Sequence, residues 1–444
     1  MNKKILQLAL PNIITNITVP LLGMVDTAIV GPLSEQHVGA LAIGTGIFNL
    51  IYWNFGFLRM GTSGFTAQAY GAHRLDEAVR VFVRAFALAI GIAVVLLALQ
   101  APIAALSRVV FEGSDQVMAL AMTYFYIRIW AAPATLGLYA IKGWFIGMQN
   151  SRLPMWIAII INVVNIVASL AFVIWLDMGI RGVALGTVLA QYSGLAIGIA
   201  FVAGRYGKIF RSRLSRHFIA ATLQPREMGR FFKINSDIFL RTICLAAVFT
   251  YITRESGHIS DQIMAVDTLL LQFFTLFSYI MDGFAYAGES LVGRYIGARD
   301  RKRTVSVVRH LLLWGLALTV VFTGAYALFG RQFLSLFSDQ PDIIAAAQPF
   351  LFWVLVVPLC GFAAFLFDGI FIGATAARSM RNAMFVATLA FFVVYYGSIH
   401  LFGATLCQSQ LRNNLLWGAF MVYLTLRGVL QAMQLEKAVY GKIC

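Results

Sequence analysis

The residues best able to do chemistry in this chain are ionisable groups set inside long apolar stretches. Each such group costs at least about 2.5 to 3.5 kcal/mol on membrane-insertion scales and so marks a candidate site. Asp26 is the sharpest, lying in Leu22-Gly-Met-Val-Asp26-Thr-Ala-Ile-Val-Gly31 with Pro11 and Pro20 upstream in the same run. A carboxyl there loses its hydration, which favours the protonated form and suits reversible protonation. The two prolines remove backbone hydrogen bonds and supply places where a helix can bend. The plain structural alternative is a helix-end aspartate at the membrane interface. Further along, Asn162 and Asn165 fall one helical turn apart on one face, with Ser169 a turn beyond, and Thr187 and Gln191 follow in the next apolar run. Amides and hydroxyls of this kind also serve as hydrogen-bonding glue between helices.

In the second half, Asp237 and Arg241 stand at i and i+4, the spacing of an intrahelical ion pair that fixes packing. Asp267, Asp282 and Glu289 share one apolar run and Asp368 sits in a later one, so Asp368, Asp237, Arg241, Asp282 and Glu289 form a candidate second site, structural or cation-binding. Arg59 and Arg128 neutralise carboxylates or line polar cavities on this view. Gly61-Thr-Ser-Gly64 fits the nucleophile pattern of intramembrane serine proteases. That chemistry needs a histidine base within the membrane, and the six histidines all fall in or near expected loops or helix ends. Small residues that let helices approach closely explain the segment better. No glycine-rich phosphate loop with its lysine is present. The four cysteines, Cys244, Cys360, Cys407 and Cys444, are too scattered for a disulfide framework or a metal site. No catalytic residue, metal or cofactor is therefore expected, and the chain is not read as an enzyme.

The elements that position these groups follow from composition. Of 444 residues 60% are apolar and 12% charged, with a mean hydropathy of +0.80, which excludes a soluble domain of this length. The chain reads as an all-α integral membrane protein of twelve transmembrane helices near 5–31, 37–67, 80–106, 116–148, 154–176, 180–203, 229–255, 262–290, 304–330, 341–374, 380–402 and 412–433. Its start carries two lysines but no small-residue cleavage site, so it is taken as the first spanning helix rather than a signal. The net charge of +15 raises nucleic acid as a partner, but Lys and Arg concentrate in the termini and every second loop. That asymmetry places both termini and the 204–228 loop in the cytoplasm of a cell (inner) membrane protein, and the basicity serves topology and anionic lipid.

A duplication at a constant offset of 226 residues is the strongest internal signal. Gly71-Ala72 before a Val-rich stretch matches Gly297-Ala298, and Gly143-Trp-Phe-Ile-Gly147 with Arg152 matches Gly369-Ile-Phe-Ile-Gly373 with Arg378. An even number of helices per repeat inserts both halves the same way. Two six-helix lobes related by a pseudo-two-fold along the membrane normal are expected, 1–203 and 229–444, joined by the linker 204–228.

Taken together the motifs resemble the multidrug and toxic compound extrusion (MATE) transporters, in particular their DinF-like branch, over nearly the whole chain. The likeness rests on Leu10-Pro11, Val25-Asp-Thr-Ala-Ile-Val-Gly31, Phe57-Leu-Arg-Met-Gly-Thr62 and Gly179-Ile-Arg-Gly-Val-Ala-Leu-Gly-Thr187. Asn235-Ser-Asp-Ile-Phe-Leu-Arg241, Asp282-Gly-Phe-Ala285, Glu289-Ser-Leu-Val-Gly293 and Asp368-Gly-Ile-Phe-Ile-Gly373 extend it. The resemblance implies a secondary active antiporter, working as a monomer by alternating access, that exports lipophilic or cationic drug-like compounds in exchange for H+ or Na+. It assigns ion coupling to Asp26 with Asn165 and Thr187 as polar partners, and helix bending to Pro11. Relatives often carry a second aspartate where this chain has Ser169, which favours H+ over Na+. Asp368 resembles a cation-binding position of another branch, which keeps Na+ open. The rival of similar plan is a lipid-linked oligosaccharide flippase. Such a protein would line its path with Arg or Lys, whereas the intramembrane charge here reads as mainly acidic.

Overall fold

The computed structural model of the chain describes residues 1–402 and 409–443. Cys407 and Cys444 lie outside the described residues. Among those described, twelve helices are long and apolar enough to cross a membrane. They are α1 (Asn2–Val30), α2 (Glu35–Gly71), α3 (Leu75–Ala98), α4 (Asp115–Gly147), α5 (Arg152–Trp175), α6 (Gly179–Arg211), α7 (Pro225–Ile259), α8 (Asp261–Gly297), α9 (Arg301–Phe337), α10 (Pro341–Gly373), α11 (Ala377–Phe402) and α12 (Ser409–Lys442).

Helix starts follow local chemistry. Ser34, Ser114 and Ser260 each accept a hydrogen bond from a backbone N–H three residues on, at the heads of α2, α4 and α8, and Asp300 does the same for α9. A side-chain oxygen there satisfies one of the donors that the first turn leaves without a partner. Internal breaks have equally local causes. The helix expected over 80–106 is two helices, Leu75–Ala98 and Gln100–Val110, parted at Leu99. Pro102 has no N–H to donate back to Ala98, so the chain restarts rather than continues. A turn at Phe55–Gly56 divides α2, a 3-10 turn at Ile129–Ala131 precedes Pro133 in α4, and α5 ends in a π turn at Ala171–Trp175.

The segment expected as the 204–228 loop is mostly helical. α6 continues to Arg211, a short helix covers Arg216–Thr222, and α7 begins at Pro225. Lys208 and Arg211 occupy the last turn of α6, where cations complement the partial negative charge of the helix end.

The chain forms two compact units, Leu10–Asn235 and Met1–Ala9 with Ser236–Cys444. The first is cored by Trp144, whose Nε1 donates to the Ala78 carbonyl at 2.9 Å and whose ring meets Phe82, Tyr206 and Phe210. The second has its own aromatic core, with Phe273 edge-on to Tyr326 and Phe274 against Phe365 and Phe420. Trp175, Val109, Leu401 and Met433 remain exposed, as expected of side chains that face lipid.

The duplication is visible in the backbone of both units. A Cβ added to Gly143 would collide with the Arg59 carbonyl, and one added to Gly369 would collide with the Ala285 carbonyl, again 226 residues on. A Cβ on Gly147 would come within 2.8 Å of the Ser63 carbonyl oxygen, and one on Gly373 within 2.6 Å of the Glu289 carbonyl oxygen. The corners after α2 and α8 place His73 and Arg299 at positive φ, and those after α4 and α10 do so with Gln149 and Thr375. α4 thus seats on α2 as α10 seats on α8.

Candidate functional site

In the Leu10–Asn235 unit, α1 is pinned beside each of its prolines. Asn12 Nδ2 donates to Ser151 Oγ at 3.0 Å next to Pro11, and Asn162 Nδ2 donates to the Thr18 carbonyl at 3.1 Å ahead of Pro20. These anchors turn one side of α1 inward. Asp26 is 4% exposed, although Met24 beside it is 68% exposed. The aspartate is thus a core residue and not an interfacial helix cap.

The polar residues expected to accompany it bond to each other and to the backbone. Asn165 Nδ2 donates to Thr187 Oγ1 at 3.0 Å, and Thr187 in turn donates to the Val183 carbonyl at 3.0 Å. Three buried oxygens are left without a hydrogen-bond partner: Asp26 Oδ1, Asn165 Oδ1 and Ser169 Oγ. Asp26 forms no ion pair with a described residue. The cation that acts on it is Arg128, whose guanidinium donates to Tyr124 Oη at 2.6 Å and lies 4.8 Å from the centre of the Phe48 ring. Tyr124 itself interacts with Arg128, Asp26 and Thr187. A buried carboxyl with a free oxygen, no ion pair to a described residue and a cation that acts on it without a direct bond can hold a proton or release it without dismantling a salt bridge.

The second-half candidates are arranged differently from the sequence expectation. Asp237 and Arg241 do not pair with each other. Arg241 reaches to Asp368 Oδ2 on α10, and Asp237 accepts from Arg381 on α11 at 2.5 Å. An i,i+4 spacing brings two side chains near, but Arg241 and Arg381 are long enough to bond across to neighbouring helices, where each buried carboxylate gains a donor. Asp368 is saturated: Arg241 and Arg427 both donate to Oδ2, and Gln431 donates to Oδ1 at 2.9 Å. Asp282 acts electrostatically on both guanidiniums. Glu289 is 1% exposed on the face of α8 that meets Gly373. Two networks add to these. Asp267 accepts from Ser256, Asn413 at 2.9 Å and Trp417 at 2.8 Å, and Glu255 accepts from Arg412 and from Tyr395 at 2.7 Å.

Among the described residues the intramembrane charge is therefore not mainly acidic. The acids of the second unit are matched by Arg or by hydrogen-bond donors. In the first unit, Asp26 is accompanied away from the helix ends by Arg59, Arg128 and Lys142. Lys142 was missed in the sequence, yet the signal was there: it lies 226 residues before Asp368, each just ahead of a Gly-x-Phe-Ile-Gly segment.

The MatE family profile matches residues 11–171 and 238–396. The chain is 35% identical to DNA damage-inducible protein F of Escherichia coli over 96% of this chain and 90% of that protein. It is 23% identical to a probable multidrug resistance protein NorM of Thermotoga maritima over 78% of this chain and 74% of that one. A crystal structure of a MATE protein in the bent conformation superposes with a TM-score of 0.83, covering 100% of this chain and 97% of that one at 18% identity.

Proposed function

Since the chain belongs to the MatE family of efflux transporters, we propose that it is a proton-coupled antiporter in which the protonation state of Asp26 drives the cycle. The observation that carries this is the buried Asp26 with an unpartnered oxygen and no ion pair to a described residue. With the site open to the more acidic side, the aspartate takes up a proton, no longer keeps a charge in the core, and lets the proline-bearing α1 adopt the form that releases cargo. With the site open to the cytoplasm it gives the proton up. Each state favours one ligand, so the two fluxes are coupled. Both termini face the cytoplasm in this scheme, as the loop charges require.

Two features favour H+ over Na+. Ser169 leaves Asp26 as the lone carboxylate of its site. In the other unit, Asp368 already holds two guanidiniums, which take the place of a bound metal cation.

The test is efflux of a fluorescent amphiphile from proteoliposomes under an imposed pH or Na+ gradient, with wild type and Asp26→Asn. Asn keeps the volume and mimics the neutral form, so folded yield should hold while pH-driven export is lost. Export by Asp26→Asn at the parental rate, or export driven by Na+ alone, would overturn the proposal.

A further inference from the structure

Lys142 has no counter-charge of its own. It lies on α4 about one and a half turns before Gly147, half-buried, and makes no hydrogen bond or ion pair with any described residue. The charged group acting on it is another cation, Arg59. The two are brought together by the backbone, because Gly143, next to Lys142, seats against the Arg59 carbonyl. Two half-buried cations that act on each other repel, and an anion at Lys142 would relieve that cost.

The duplication sharpens the point. At the equivalent position of α10 stands Asp368, which is provided with two arginines and a glutamine. The same helix seat therefore carries a satisfied anion in one unit and an unsatisfied cation in the other. A lysine near a helix end can also snorkel to water. However, α4 ends against Ser63 and Thr66, more than a turn short of the end of α2 at Gly71, so Lys142 lies deeper than its distance from Gly147 suggests.

We propose that Lys142 binds the anionic group of the cargo, so that the exported compounds are amphiphiles bearing a carboxylate, sulfonate or phosphate. This rests on the transporter reading above but not on the role of Asp26.

Equilibrium binding to the full-length protein in phosphatidylcholine nanodiscs tests it without any ion gradient, so failure of proton coupling leaves it untouched. The probes are dansylglycine, an anion, and its neutral amide, which share one fluorophore. A charge-assisted contact in a desolvated site predicts at least about tenfold tighter binding of the anion. Lys142→Gln should abolish that preference while leaving affinity for the amide unchanged, and Lys142→Arg should keep it. Displacement by farnesyl diphosphate rather than by decanoate would identify a lipid-linked diphosphate as the anion; the reverse order would identify a carboxylate amphiphile, and either supports the anion site. Equal affinity for the two probes, binding of neither, or a preference that survives Lys142→Gln overturns the proposal. Should Lys142→Gln fail to fold, wild type and Lys142→Arg still decide: loss of the preference in Lys142→Arg, or its absence from wild type, counts against it.

Discussion

Substitution of Asp368 is the most discriminating stability experiment, because a cation site and an internal ion cluster respond to it in opposite ways. Arg241 is 6% and Arg427 2% exposed, and both donate to Asp368 Oδ2. Asp368→Asn removes the carboxylate that both guanidiniums bond to and leaves them in the core with Asp282 as the remaining acid acting on them, a change worth about 3 to 5 kcal/mol. Arg427→Gln leaves Asp368 with Arg241 and Gln431, so its cost is that of one charge-assisted hydrogen bond, about 1.5 to 3 kcal/mol. At about 2 to 4 °C per kcal/mol for a body of this size, thermal unfolding of the detergent-purified protein should fall by about 6 to 20 °C for Asp368→Asn and by less for Arg427→Gln. Wild type should be indifferent to Na+. If Asp368 bound Na+ with a Kd of about 1 mM, adding 100 mM of the salt would stabilise the protein by about 2.7 kcal/mol. An Asp368→Asn protein as stable as wild type, a larger loss in Arg427→Gln, or Na+ stabilisation that disappears with Asp368 would refute the ion-cluster assignment.

Other outcomes follow from the same geometry. Gly143→Ala and Gly369→Ala should each sharply lower folded yield, since neither Cβ fits against the facing carbonyl; an equivalent Gly91→Ala control, with open space around it, should not. Arg241→Ala should reduce folded yield more than Arg381→Ala, because Arg241 is the more deeply buried partner, with side-chain exposures of 7% against 24%; equal yields would show the two ion pairs to be interchangeable. Asn165→Leu removes the donor to Thr187 and an unpartnered buried oxygen, and should impair pH-driven flux in the proteoliposome assay while expression stays near parental. A cysteine introduced at Lys208 should react only with membrane-permeant reagents in intact cells; labelling by an impermeant maleimide would invert the topology.

The twelve spans were legible because hydropathy alone demands them, and the duplication was legible because glycine pairs recur wherever backbones touch, as at Gly143 and Gly369. Asp26 stood out as an acid among apolar residues and proved buried with a free oxygen. Ion-pair partners were not legible. Arg241 sits one turn from Asp237 in sequence, but its guanidinium is carried across to α10 by packing that no local spacing encodes. Lys142 escaped notice for a different reason. Aligning the halves by shared residue types passes over a lysine opposite an aspartate, although opposite charges at one structural position are more informative than a match. The break at Leu99 and the long α6 belong to a third class, where proline placement and basic helix ends shift boundaries that hydropathy leaves soft.

The common seating of α4 on α2 and of α10 on α8 carries a consequence for how such a chain can change. Backbone contacts at Gly143 and Gly147, and at Gly369 and Gly373, are indifferent to the side chain one residue before them. The frame therefore leaves the charge at 142 and 368 open, but not equally: Asp368 is tied to Arg241, Arg427 and Gln431 and can change only together with them, whereas Lys142 has no hydrogen-bond partner among the described residues. A lineage could reset the charge at 142 alone, or at 368 in concert with its partners, with the helical scaffold left as it was.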